Sequence, residues 1–132
     1  LNTFMKMFNK IITSFGYNEI SAGIGLGCDK DLIIKAGRTG SGINDKIWIG
    51  NAIIDACNFS NIANRNGKDP IIISNTVYDN IIDILCKENP NFINWIKPKK
   101  RNTYYDAHTI EYYTCNIINI EFNNWITNGM RD

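Results

Sequence analysis

Apolar residues fall at helical spacing from the first turns of the chain. Phe4, Phe8, Ile11, Ile12 and Phe15 form one stripe, with Lys6, Asn9, Lys10 and Thr13 opposite and Gly16 behind them as a stop signal. The spacing predicts an amphipathic helix whose stripe packs on a sheet. The period then shortens. "EISAGIGLG" and "LIIKAG" are strand-like runs separated by the turn-forming "CDKD", which together read as a β-hairpin. A third strand, "DKIWIG", follows a loop containing Gly37, Gly40 and Gly42, where the chain can turn sharply because no Cβ blocks positive φ. Between Gly50 and Asn66 helical spacing returns, with Ile53, Ala56, Cys57, Ser60 and Ala63 on one face and Asn51, Asp55, Asn58, Asn61 and Arg65 on the other.

"NGKDP" ends that helix, "IIIS" reads as a short buried strand, and "NTVYDNIIDILC" as a further helix capped by Ser74 or Asn75. "KENPNFINWIKPKKRN" reads as an irregular, Pro-interrupted basic connection, and "TYYDAHTIEYYTCNIINIEFNNWI" as strands followed by a short final helix. No internal repeat or linker divides the 132 residues, which predicts one domain over 1–132. The expected class is α/β (α+β), a mainly antiparallel sheet with helices packed on one face.

Composition narrows the function classes. A hydrophobic fraction of 44% and a charged fraction of 20% are those of an ordinary globular protein. The net charge of +1 provides no overall field to gather nucleic acid or an anionic membrane, so Lys97, Lys99, Lys100 and Arg101 read as a solvated loop. No apolar run approaches the roughly 18 residues of a membrane-spanning helix, and the start lacks a signal-peptide pattern, so a cytoplasmic protein is expected. Cys28, Cys57, Cys86 and Cys115 are evenly spaced, but with no close pair and His108 the one imidazole, they fit no usual zinc pattern and read as free thiols. Trp48 and Trp95 read as core or dimer-interface aromatics, and His108 as structural. Leu1 already looks like the inside of a helix, which suggests a fragment.

The order of elements carries a resemblance. "AGIGLG" stands where the class III nucleotide cyclase homology domain has its IGIxxG strand. "IWIGNAIIDA" stands where that family has a strand closing on W-G-[DN]-T-V-N-x-A, and "PIIISNTVYDNI" where it has I-x-[VL]-S-x-x-x-Y. The match covers most of Phe4 to Ile82. "IKAGRTGSGIND" and "CNIINIEFNNW" look most like the bacterial pyrimidine cyclases of antiphage signalling, which make cyclic UMP or cyclic CMP. The resemblance implies the C-terminal part of a ferredoxin-like cyclase palm, with the N-terminal strands and their metal-binding aspartates lying upstream. It further implies UTP or CTP as substrate, Mn²⁺ or Mg²⁺ as cofactor, a head-to-tail homodimer, and a downstream effector that responds to the cyclic nucleotide.

Carried onto these residues, the resemblance places the nucleotide beside the glycine loop and the helix after Gly50. Lys35 and Arg38 flank the loop and are candidates to meet phosphate or base. Asp45 and Ile47 share a strand face near the base, and Ile47 stands where purine cyclases carry a base-reading Asp, which fits a pyrimidine. The family's ribose-orienting Asn is replaced by Ile54 and its phosphate-stabilising Arg by Asn58, leaving Asn51, Asp55 and Asn58 as the polar groups of that helix. Asn58 and Asp55 are the candidates for substitute hydrogen bonds in catalysis. One of Lys99, Lys100 or Arg101 is a candidate to reach the triphosphate. Three other readings stand beside this one: a catalytically silent cyclase-like dimerisation or regulatory module, supported by Ile54 and Asn58, an adenylate or guanylate cyclase, and a nucleic-acid binder, supported by the basic loop.

Overall fold

A computed structural model describes residues 1–37, 44–102 and 109–131. Helix α1 (Asn2–Ser14) is followed by strands β1 (Ile24–Leu26), β2 (Leu32–Gly37) and β3 (Asn44–Ile49), then helix α2 (Asn51–Ile62), strand β4 (Ile71–Ser74) and helix α3 (Asn75–Glu88). A 3₁₀ turn at Pro90–Trp95 leads into strands β5 (Ile96–Asn102) and β6 (Thr109–Cys115), and helix α4 (Ile120–Thr127) follows. The sheet has the order β1-β4-β6-β5, with β1 parallel to β4 and the other pairs antiparallel. Strands β2 and β3 form a separate antiparallel ribbon.

The architecture is α+β, a mixed four-stranded sheet with helices packed against it. Its helices divide between the two faces rather than sharing one, and β4 shows why. Successive side chains of a strand point to opposite faces. Ile72 joins Phe59, Ala63 and Tyr112 under α2, while Ile73 joins Ile96 and Cys115, with Val77, Tyr78 and Ile81 of α3 and Phe92 packed around them. An uninterrupted "IIIS" is what a strand buried on both sides requires. On the α3 side the rings of Tyr78 and Tyr113 stack with centroids 3.7 Å apart. Ser74 caps α3, its hydroxyl accepting from the Val77 backbone N–H at 3.3 Å.

The expected hairpin between "EISAGIGLG" and "LIIKAG" is absent, because β1 pairs with β4 and β2 pairs with β3. Glycine is the reason. Gly23, Gly25 and Gly27 recur every second residue on the face of β1 that meets α2, and a Cβ on Gly23 would lie 2.5 Å from the Ser60 carbonyl oxygen and 2.6 Å from that of Ala63. A Cβ on Gly25 or Gly27 would likewise meet backbone of Ala56 or Ala52. The helix backbone therefore lies directly on the strand, and β1 becomes an edge strand of the four-stranded sheet, covered on one face by α2, instead of half of an exposed hairpin.

Three further expectations are corrected. The phenylalanine stripe of α1 does not pack on the sheet: Phe4, Ile11 and Phe15 are exposed. The helix docks instead through polar groups on the C-terminal segment. Asn2 donates to Asn116 Oδ1 at 2.8 Å and to the Ile117 carbonyl at 3.0 Å, buried Thr3 accepts from the Asn119 N–H at 2.9 Å, and Lys10 donates to the Ile126 carbonyl. The basic "IKPKKRN" is the edge strand β5 rather than an irregular connection, and Pro98 and the lysines suit an edge that must not pair further. Trp48 and Trp95 are both largely exposed, so neither is core. The four cysteines are free, with Cys115 buried and Cys28 and Cys57 exposed.

Candidate functional site

Most of the sequence-derived candidates occupy two elements joined through Gly50, the β2–β3 ribbon and the polar face of α2, while Lys99, Lys100 and Arg101 belong to the edge strand β5. On the ribbon, Lys35 pairs with Lys46, Ile34 with Ile47 and Ala36 with Asp45. Arg38 and His108 lie outside the described residues. The ribbon is apolar on both faces and open to solvent, since Leu32, Ile33, Ile34, Ile47, Trp48 and Ile49 are all exposed. Contiguous apolar surface of this kind marks an interaction site in a folded protein.

Along α2, Asn51, Asp55 and Asn58 follow one another at i, i+4 and i+7 and so share a face. Asn58 is exposed and Asp55 half-buried. Ile54, beside them, is 55% exposed, an apolar side chain in solvent. Among the described residues, no hydrogen bond joins Lys35 or Ile47 to Asp55 or Asn58.

The start of α2 holds two residues that the sequence reading passed over as turn formers. A helix leaves its first N–H groups without intrahelical partners, and Gly50 at the N-cap has no side chain to satisfy them. Asp31, from the connection between β1 and β2, does so from outside: its Oδ1 accepts the Ala52 N–H at 3.3 Å. Asp29 Oδ2 accepts from the Asn51 side-chain amide at 3.1 Å, while its Oδ1 accepts the Lys30 N–H at 2.7 Å. A helix opening on glycine, with a D-x-D run ahead of it, was the available signal.

These contacts set the electrostatics. The Lys30 backbone N–H, then the Asn51 amide, hold the Asp29 carboxyl below the usual carboxylate range. Burial, and secondarily the charge of Asp29, push Asp55 upward. The positive end of the α2 dipole is thus already met by Asp31, and the polar face beyond it carries negative charge. This end of α2 receives an amide, a hydroxyl or a cationic group more readily than a bare phosphate. No group of three or more His, Cys, Asp or Glu among the described residues is arranged to hold a metal ion. No described helix is long and apolar enough to cross a membrane.

Two curated proteins align with the chain. It is 39% identical over 132 residues, its whole length, to a uridylate cyclase of Treponema porcinum, covering 42% of that protein. It is 28% identical over 110 residues, 81% of its length, to a uridylate cyclase of Gulbenkiania mobilis, covering 41% of that protein. The chain therefore spans about two fifths of the length of these relatives. No family model matches the chain. No solved structure matches it. The chain is thus similar in sequence to uridylate cyclases, to one over its whole length and to the other over 81% of it.

Proposed function

We propose that the chain is the C-terminal portion of a class III pyrimidine nucleotide cyclase, which converts UTP, or secondarily CTP, to the 3′,5′-cyclic monophosphate and pyrophosphate. The observation that carries this reading is the 39% identity over all 132 residues to a protein named uridylate cyclase. The ribbon and α2 support it from the chemistry of their side chains. Ile47 has no polar group with which to read a purine edge, so a purine beside it would leave donors or acceptors unpaired, at roughly 1–3 kcal/mol for each one buried. Asn51 and Asn58 offer neutral amides to a ribose hydroxyl. In the reaction, the 3′-oxygen forms a bond to the α-phosphorus while the bond to pyrophosphate breaks.

The Mn²⁺ or Mg²⁺ that this chemistry calls for does not fit the described residues, among which no three His, Cys, Asp or Glu are arranged to hold a metal ion, while Asp29 has both oxygens and Asp31 its Oδ1 engaged by N–H groups. Its ligands are assigned to sequence beyond these 132 residues, and the chain by itself is assigned no turnover. The exposed apolar ribbon is the surface we assign to a homodimer contact. The cyclic product would act in the cytoplasm on a separate effector in antiphage defence.

One specific observation favours a second reading, a catalytically silent module: Ile54 puts an exposed aliphatic chain where the resemblance calls for a ribose-orienting amide. A single assay separates the two. A protein of the relatives' full length, given Mn²⁺ and equal concentrations of ATP, GTP, CTP and UTP, is expected to make chiefly cyclic UMP by mass spectrometry. Cyclic AMP or cyclic GMP as the main product overturns the pyrimidine assignment, and no cyclic product establishes the silent module.

A further inference from the structure

The ribbon and α2 meet at one place. Leu32 pairs with Ile49 as the first rung of the ribbon, so Asp31 and Gly50 face each other across its base. They are packed too tightly for any other residue at position 50: a Cβ there would lie 2.5 Å from Asp31 Cγ and 2.9 Å from Asp31 Cα. The Gly50 backbone is extended, with φ at 166°, so space rather than conformation demands glycine. The Asp31 carboxylate then reaches past Gly50 to the Ala52 N–H, and Asp29 fastens the next side chain, Asn51. Beyond this base Ile33, Ile34, Lys35, Lys46, Ile47 and Trp48 stand in solvent. The angle at which the ribbon leaves α2 is therefore set at its root.

We infer that Asp31 is a positioning residue: by holding Ala52 across Gly50 it fixes the ribbon, with Lys35 and Ile47, at a set angle to the α2 face that carries Asn51, Asp55 and Asn58. The inference rests on the reading that these two elements share one nucleotide. Asp31 touches no substrate in this assignment. It acts through the helix start, keeping the groups of the ribbon and of α2 at the spacing that binds one nucleotide, so its loss weakens uniform binding and is read in KM.

The experiment reads geometry and kinetics separately, in the full-length protein. Spin labels on K46C in the ribbon and N61C on the outer face of α2, both exposed positions, report the ribbon angle as a distance distribution, with Cys28, Cys57 and Cys86 changed to Ser. Asp31→Ala is expected to shift or broaden that distribution and to raise KM for UTP by about tenfold while kcat changes much less. Asp31→Asn keeps an acceptor for the Ala52 N–H and is expected to restore both. Gly50→Ala, which forces the pair apart while keeping the carboxylate, is expected to move the distance in the same way and decides the matter if Asp31→Ala does not fold. An unchanged distribution in the alanine variants, a shifted one with unchanged KM, or Asp31→Asn behaving like Asp31→Ala overturns the inference. If the parent protein makes no cyclic nucleotide, the proposed function fails, while the distance measurement still decides whether Asp31 sets the angle.

Discussion

Adding one methyl group at Gly23 tests whether α2 truly lies on the β1 segment. The new Cβ would sit 2.5 Å from the Ser60 carbonyl oxygen, 2.6 Å from the Ala63 carbonyl oxygen and 2.9 Å from Ala63 Cβ, where ordinary contact begins at 3.4 Å. Relief requires strand and helix to part by about 0.5–0.9 Å, a gap that forfeits roughly a quarter to a half of the dispersion energy of each contact it opens. Ala63 is fully buried and Phe59 nearly so, which means the gap opens in the core beside Ile72 and Tyr112. Overpacking of this kind costs about 1–3 kcal/mol. Against it stands a gain of about 0.4–1 kcal/mol, because alanine restricts the unfolded chain. The expected net loss for Gly23→Ala is about 1–2 kcal/mol, measured as a lower urea midpoint with an unchanged slope. Ala63→Gly should rescue little, since two of the three close atoms are carbonyl oxygens that this change leaves in place. A Gly23→Ala protein as stable as the parent would refute the close-packed helix and strand.

Two further outcomes follow from the titratable groups. Burial pushes the Cys115 thiol pKa up to about 11, so a thiol reagent at neutral pH is expected to modify exposed Cys28 and Cys57 first and Cys115 at the rate of unfolding, as peptide mass mapping over time would show. Early labelling of Cys115 would contradict its place in the core. For Asp55 the folded carboxyl binds its proton more tightly than the unfolded one, so between the ordinary aspartate value of 3.8 and the raised folded value the native state holds more protons and stability falls as pH rises. Asp55→Asn should flatten that slope and stabilise the protein at neutral pH by less than about 1 kcal/mol, an effect that shrinks with added salt. Destabilisation by Asp55→Asn would mean that the carboxylate has a partner worth more than its repulsion from Asp29.

The elements were legible wherever periodicity is a local property. The spacing of Phe4 to Phe15, the run "IIIS" and the helix after it each announce their own conformation. What was not legible was pairing. "CDKD" has the residue types of a tight turn, yet Asp29 and Asp31 turn toward a helix that begins some twenty residues later, and nothing local distinguishes the two uses. The glycines of "AGIGLG" could likewise be read as flexibility. Their alternation reports a close approach that only the partner helix explains. The stripe of α1 misled for another reason, because its polar side found hydrogen-bond partners more than a hundred residues away. The candidate site was legible as two elements, and its joint was not.

Strand β4 is paired with residues far away on both sides, Ile71 with Ile24 in one direction and with Cys115 in the other. Each pairing closes a loop of roughly 45 residues, and closing one does little to shorten the other. The β2–β3 ribbon and the β5–β6 hairpin can form early from nearby residues, but the sheet itself waits for both long closures. As the chain leaves the ribosome, β1 and α2 emerge well before β6, leaving β4 without Tyr112 and Tyr113 of β6 beside it until the last strand arrives. Folding should therefore be governed by a late, non-local step. Changes at Ile72 or Ile73 would then slow refolding, whereas changes in the solvent-facing ribbon would leave its rate nearly untouched.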